Sequence, residues 1–248
     1  MPPVRALTRI GLIGDVHAQA GRLERAIEFL SATGAEHVLC TGDIADGPGD
    51  VNHCCALLDE HGVSTVRGNH DRWLLTDKVR HVPHAHSLDE LSARSIRYLR
   101  SLPMSIQLDT VAGPLLLCHG VANNDTQKVW PGSERKGPDK SEDLDQLIAD
   151  DEVRIVVNGH MHFRIILEFQ RMTFLNAGTL KDSPACGVSL LDLKDGTDLS
   201  TATVNYYRFD EADNITHQMS APLRAGGQRR IWKDTQEFDG DWEVFRVT

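Results

Sequence analysis

Five short stretches of the sequence each end a hydrophobic run with a glycine or cysteine set beside aspartate, asparagine or histidine. They are GDVH at 14–17, GDIAD at 42–46, GNHD at 68–71, CHG at 118–120 and GHMH at 159–162. Between them they supply Asp15, His17, Asp43, Asn69, His70, His119, His160 and His162. Carboxylates, an amide and imidazoles, with no thiolate, suit Mn²⁺, Fe²⁺, Zn²⁺ or Ni²⁺ better than they suit a cysteine-rich structural zinc. Even seven of these eight as ligands exceed what one four- to six-coordinate ion takes while leaving room for a substrate. Two ions about 3.5–4 Å apart, bridged by one carboxylate, fit the count. Each stretch alone says little, since an Asp or His at a strand end is commonly a cap and GNHD also fits a turn. In GHMH, an extended backbone would point His160 and His162 to one side with Cα atoms about 6.6–6.8 Å apart, a spacing that serves one ion or two neighbours.

These residues need a scaffold that brings five chain segments together. The run 8–14 predicts a buried strand, and GRLERAIEFLSATG after it carries Leu23, Ala26, Ile27 and Leu30 at helical spacing. HVLCTG (37–42) predicts a second strand. In DVNHCCALLDEHG, Val51, Cys55 and Leu58 share one helical face. VSTVRG (63–68) predicts a third strand, and 88–102 a helix. LLLCHG (115–120) and VRIVVNG (153–159) predict further strands, with a short helix near 143–149 before the second. Strands alternating with helices imply βαβ units and a largely parallel sheet. In such a sheet the strand C-termini share one edge, where ligand sites form. After residue 160 helical periodicity gives way to RIILEFQ, MTFLNAG, CGVSLLDL and STATVNYYRF, read as a second sheet packed on the first. The expected fold is α/β, a four-layer α/β/β/α sandwich of two mixed sheets flanked by helices. Residues 1–210 form its domain, with 211–248 as a C-terminal extension carrying Trp232 and Trp242.

Composition narrows the function. Of 248 residues, 40% are hydrophobic, enough for a core, yet no stretch nears the roughly 18–20 apolar residues of a membrane span. The N-terminal stretch has no apolar segment followed by a small-residue cleavage site, so the expected location is the cytoplasm. Acidic residues outnumber basic ones 36 to 26, giving a formal charge of −10. That argues against a broad grip on duplex nucleic acid but leaves room for a small phosphorylated substrate, because bound divalent metal reverses the local sign. Cys40, Cys54, Cys55, Cys118 and Cys186 are odd in number and lack CxxC pairing, as suits buried thiols in a reducing compartment. No feature of the sequence bears on oligomeric state.

In order, GDVH, GDIAD, GNHD, CHG and GHMH resemble the five motifs of the calcineurin-like metallophosphoesterase superfamily, over residues 14–162. The resemblance implies that Asp15, His17, Asp43 and His162 hold a first metal. Asp43, Asn69, His119 and His160 would hold a second, with Asp43 as the bridge. It also implies a catalytic His70 that is not a ligand, with Asp71 orienting its ring. The cofactors would be two divalent ions, Mn²⁺ favoured, activating a water for in-line attack on phosphorus. The implied activity is hydrolysis of small or nucleotide-like phosphoesters, in the small bacterial-type phosphodiesterase or phosphatase branch. A Ser/Thr phosphoprotein phosphatase usually reads GDxVDRG and GNHE, and both the arginine and the glutamate are missing here. A diadenosine-tetraphosphatase-like enzyme is a further alternative, since GNHD occurs in that branch too. A Mre11-like nuclease normally carries an added DNA-facing domain, which the length and acidity argue against. A non-catalytic scaffold like the retromer subunit of this fold would be expected to have lost His70 or ligands, and all are present.

Beyond the motifs, Arg72 is a candidate for a second phosphate, and Trp73 for stacking on a base or packing a helix face. The segment 121–140 after His119 is long enough for a lid. Asn123, Asn124 and Asp125 are its possible substrate contacts, with Arg135 and Lys136 available for phosphate. His81, His84 and His86 lie in RHVPHAHS, read as a surface loop.

Overall fold

The computed structural model describes residues 6–129, 141–150, 152–169, 171–181, 186–194, 198–224, 228–231 and 245–246. In chain order the elements are β1 (Arg9–Ile13), α1 (Ala20–Ala32), β2 (His37–Cys40), α2 (Val51–Glu60), β3 (Ser64–Thr65), α3 (Asn69–Leu75) and α4 (Ala93–Ser101). They continue with β4 (Ser105–Thr110), β5 (Gly113–Cys118), α5 (Glu142–Asp150), β6 (Ile155–Asn158), β7 (Ile165–Phe169) and β8 (Met172–Asn176). β9 (Gly187–Asp192), β10 (Thr203–Phe209), β11 (Ile215–Pro222), β12 (Gln228–Ile231) and β13 (Phe245–Arg246) complete the set.

Two mixed sheets result. The first runs β11-β10-β9-β1-β2-β3, the second β13-β12-β7-β8-β6-β5-β4. β1, β2 and β3 are parallel, as are β5, β6 and β8, while the remaining pairs are antiparallel. The two-residue period of a strand explains the layering. Ile10 and Leu12 of β1 face the interior between the sheets, where they join Leu115, Leu117, Ile155 and Val157. Ile13 turns outward under Leu23, Ile27 and Leu30 of α1 and Leu58 of α2. Leu116, Cys118 and Val156 face the other way, against Leu144 of α5. Strands buried on both faces need hydrophobic residues at every position, which is why they read as unbroken apolar runs. The α/β/β/α sandwich expected from the sequence is the observed architecture. All five cysteines are buried free thiols.

Several expectations are corrected. The strands after residue 160 do not form a sheet of their own. β7 and β8 join β5 and β6, whereas β9 returns to pair antiparallel with β1, Ile13 opposite Val188, and brings β10 and β11 with it. Alternation reports which faces are buried, and β9 is buried on both, so its pattern does not name its neighbour. β4, unforeseen, is an edge strand in which exposed Gln107 and Asp109 alternate with half-buried Ile106 and Leu108. The helix expected over 88–102 is a 3₁₀ turn, Leu88–Glu90, followed by α4, because the Ser92 side chain accepts the Ser95 N–H and starts a new helix. β3 is only two residues long, and a helix, α3, begins within GNHD. Residues 130–140, with Arg135 and Lys136, lie outside the described residues, as do Trp232 and Trp242. No helix among the described residues is long and apolar enough to cross a membrane.

Candidate metal centre

The ends of β1, β2 and β3 from one sheet meet those of β5 and β6 from the other. β1 runs into Asp15 and His17, β2 into Asp43, β3 through Gly68 into Asn69 and His70, β5 into His119, and β6 into His160 and His162. The five ends, expected on one parallel sheet, come instead from two packed sheets. His17, Asp43, His160 and His162 all have positive φ, at 46°, 45°, 67° and 60°. Non-glycine residues rarely adopt this conformation, and its clustering at one edge marks a site held against local strain. It also corrects the extended backbone expected for GHMH. β6 stops at Asn158, and the two histidines lie on a left-handed turn.

The side-chain atoms that could hold a metal fall into two groups. Asp15, His17, Asp43 and His162 bring theirs within 4.8 Å of one another, and so do Asp43, His119 and His160. Asp43 belongs to both. Its Oδ1 accepts the His70 N–H at 2.8 Å, while Oδ2 lies 3.3 Å from His119 Nε2 and 4.0 Å from His17 Nε2. Asp15 Oδ1 accepts the Thr41 hydroxyl and Oδ2 the His160 N–H, with His162 Nε2 3.1 Å from Oδ2. His17 Nδ1 donates to the Asp46 carbonyl at 2.9 Å and His119 Nδ1 to the Thr41 carbonyl at 2.7 Å. A carbonyl can only accept, so both rings keep the proton on Nδ1 and turn Nε2 to the centre, the arrangement that prepares a metal ligand. The Asn69 amide end nearest the centre faces the Asp125 carbonyl at 3.2 Å, His160 Nδ1 at 2.8 Å and His119 Nε2 at 3.0 Å, all acceptors, so without a cation its NH₂ belongs there.

Charge makes the same demand. Burial opposes ionisation of Asp15 and Asp43, yet His119 and the other histidines around them hold both below the usual carboxylate range. At His119 burial would depress the pKa, but Asp43 and Asp15 outweigh it and push it up to about 10. The pocket calls for positive charge beside those carboxylates, from a proton or a cation. Burial takes His17 and His160 down to about 4, so each meets the centre as a neutral imidazole with a free lone pair. Buried carboxylates, an amide and the neutral imidazoles of His17 and His160, with His119 drawing its charge from the same carboxylates, make a donor set that fits a divalent cation.

Gly68 lets this packing close. A Cβ there would stand inside the van der Waals envelope of Asp43 Oδ1 and the Asp43 amide nitrogen. Gly68→Ala is therefore expected to weaken metal binding about 10–100-fold, as loss of a ligand's support does, measured by titrating Mn²⁺ into metal-free protein.

Around this core, His70 Nδ1 donates to Asp46 Oδ2 at 2.8 Å, and its Nε2 lies 4.0 Å from Asp43 Oδ2. The orienting carboxylate is thus Asp46. Asp71, expected in that role, accepts the backbone N–H groups of Ile44, Ala45 and Gly68 instead, fastening GDIAD to α3. Burial and then Asp43 push Asp71 up to about 7. Trp73 sets its ring 4.8 Å from that of His70. Arg72 grips Asp125 through Nε at 2.6 Å and Nη2 at 2.8 Å. Asn123 and Asn124, expected at the substrate, spend their side chains elsewhere: Asn123 accepts from Ser105, and Asn124 accepts from Thr126. Asp46, Thr41 and Arg80 were missed as participants. Asp46 had a signal, three residues after Asp43 in GDIAD, whereas Arg80 sits in a loop without periodicity.

Comparison with known proteins agrees. Residues 8–196 match the family model of the calcineurin-like phosphoesterase superfamily domain. A curated relative, the uncharacterized protein MJ0912 of Methanocaldococcus jannaschii, is 23% identical over 128 residues, 49% of this chain and 52% of that protein. The chain thus spans about half the length of that relative. A metallophosphoesterase from Sphaerobacter thermophilus has a similar structure, with TM-score 0.61 and 19% identity over 82% of this chain and 89% of that one. Vps29 from Entamoeba histolytica, complexed with Zn²⁺, gives 0.51 and 18% over 87% and 99%. At these identities the structures show a shared fold.

Proposed function

The chain belongs to the calcineurin-like phosphoesterase superfamily, and from that premise we propose that it hydrolyses small or nucleotide-like phosphoesters at a centre of two divalent ions. The observation that carries this reading is the pair of ligand groups joined through Asp43. Asp15, His17, Asp43 and His162 are assigned to one ion, and Asp43, Asn69, His119 and His160 to the other, with Mn²⁺ favoured among O/N-binding ions. Such ions, when bound, neutralise phosphate oxygens and make water a nucleophile at neutral pH. The chain's own groups do the rest. His70 gives its Nδ1 proton to the bond with Asp46, so its Nε2 faces the centre as the site for a proton on the leaving oxygen. Arg72, held by Asp125, is a fixed positive charge assigned to substrate phosphate. Five buried free thiols favour a reducing compartment such as the cytoplasm.

Elemental analysis of the purified protein, joined to a substrate panel, tests the proposal. Metal-reconstituted protein should hydrolyse bis-p-nitrophenyl phosphate, with p-nitrophenyl phosphate, dinucleoside polyphosphates, cyclic nucleotides and a phosphopeptide ranking its preference. Bound metal without turnover of any of these would sink the enzyme reading in favour of the scaffold.

A further inference from the structure

We infer that Arg80 is a positioning residue for the reaction, acting through Asp46 on His70, and that the 77–87 loop serves to carry it. The role in turnover rests on the phosphoesterase reading above; the geometry does not. The Asp46 carboxylate is fully buried and has four donors. Oδ2 accepts His70 Nδ1 at 2.8 Å and Arg80 Nη2 at 2.9 Å. Oδ1 accepts Arg80 Nη1 at 2.9 Å and the His86 N–H at 3.0 Å. The guanidinium thus spans both oxygens, the strongest and most directional of the side-chain pairings. With Oδ1 tied, the carboxylate plane cannot turn, and Oδ2 stays aimed at the His70 ring.

The same guanidinium organises the loop that bears it. Nε donates to the Lys78 carbonyl at 2.8 Å and Nη1 to the His86 carbonyl at 2.9 Å, so both arms of the loop close around it. His86 Nδ1 in turn accepts the Asp46 N–H at 3.0 Å. Asp77, Val79 and His84 have φ of 51°, 52° and 54°. For a β-branched valine this is a true outlier, and such strain persists only where surrounding bonds over-determine it. A loop that only covered the surface would not need it. The strain accompanies a guanidinium delivered from a remote segment to the carboxylate behind His70.

A double-mutant cycle decides the matter. Arg80→Ala should lower kcat for bis-p-nitrophenyl phosphate about 10–100-fold, the usual effect of losing an outer hydrogen-bonding partner. KM should stay within about twofold and metal content unchanged, since no ligand is touched. In a His70→Ala background, Arg80→Ala should cost under about twofold more, because residues that act as a unit are not additive. Arg80→Lys should recover little, as an ammonium cannot span two oxygens. Full kcat in Arg80→Ala, or an undiminished loss on top of His70→Ala, overturns the assignment. A readout free of turnover is the downfield proton resonance of His70 Nδ1–H, identified by its loss in His70→Ala. It should broaden or vanish in Arg80→Ala, and an unchanged signal refutes the clamp. If wild-type protein turns over no phosphoester, the functional reading fails and this resonance alone judges Arg80. Should Arg80→Ala not fold, Arg80→Gln goes through the same measurements.

Discussion

Asp43→Asn is expected to empty the centre. Asp43 is the one side chain common to both ligand groups, with Oδ2 facing the imidazoles of His17, His70 and His119. The amide removes a full negative charge from a buried site, where charge interactions are strongest, and halves the oxygens able to bridge two cations. Metal affinity should fall by more than about 100-fold, beyond what loss of an outer partner costs. Turnover should fall by about 10³-fold or more, since electrostatic stabilisation of the transition state goes with the ions. Elemental analysis and a calorimetric titration check this, and full metal occupancy in the variant contradicts the bridging role. Part of the metal-free stability should go with the Asp43 charge. His119 beside Asp43 holds its carboxyl below the usual range, and Asp43 in turn pushes His119 up to about 10, so the ionised pair stabilises the metal-free fold. Metal-free Asp43→Asn should therefore melt below metal-free wild type, and circular dichroism at the titration temperature checks that the loss of metal is read on folded protein.

His70→Ala should do the reverse, keeping the metal and losing the rate. No ligand group includes His70, whose ring is fixed by Asp46 and flanked by Trp73. A positioned general acid contributes about 10²–10⁴-fold, and kcat should fall within that range while metal content holds. The loss should be larger for an alkyl leaving group than for p-nitrophenolate, which departs with little need of a proton. Equal losses for both would exclude proton donation. The pH dependence has a definite sign. Burial would lower the His70 pKa, but the bond to Asp46 and the field of Asp43 raise it above 6.5. As an acid it acts while protonated, so its contribution is complete below that pKa and lost as pH rises through it. Asp46→Asn weakens the support for the imidazolium, so the alkaline limb of kcat/KM should move to lower pH. A limb that stays put would separate Asp46 from the titration.

Much of this was legible in the sequence for a plain reason. Strands buried on both faces, such as those holding Leu12, Leu117 and Val157, leave continuous apolar runs, and the chemistry-bearing residues fall where those runs stop. Leu23, Ile27 and Leu30 declare the buried face of α1 by spacing alone. What was not legible depended on partners distant in sequence. Val188 and Leu191 show that β9 is buried on both sides but not that β1 lies beside it. Asp46 and Asp71 each end a motif, GDIAD and GNHD, and only the packing of the loop after β2 against α3 brings one carboxylate to the His70 ring and the other to backbone N–H groups. Arg80 lies 34 residues from Asp46 in a loop without period, so nothing local announces the pairing.

That the candidate ligands come from two sheets has a mechanical consequence. Asp15, His17, Asp43 and Asn69 belong to the sheet of β1 to β3, and His119, His160 and His162 to that of β5 and β6. Each ligand group draws on both. The interior between the sheets is held by side chains such as Leu12 and Val157, whose attraction has no preferred direction. A divalent cation held by residues of both sheets would act as a rivet. It would set the register of the two halves at their working edge, and a small slip of one sheet along the other would pull both candidate ligand groups apart at once.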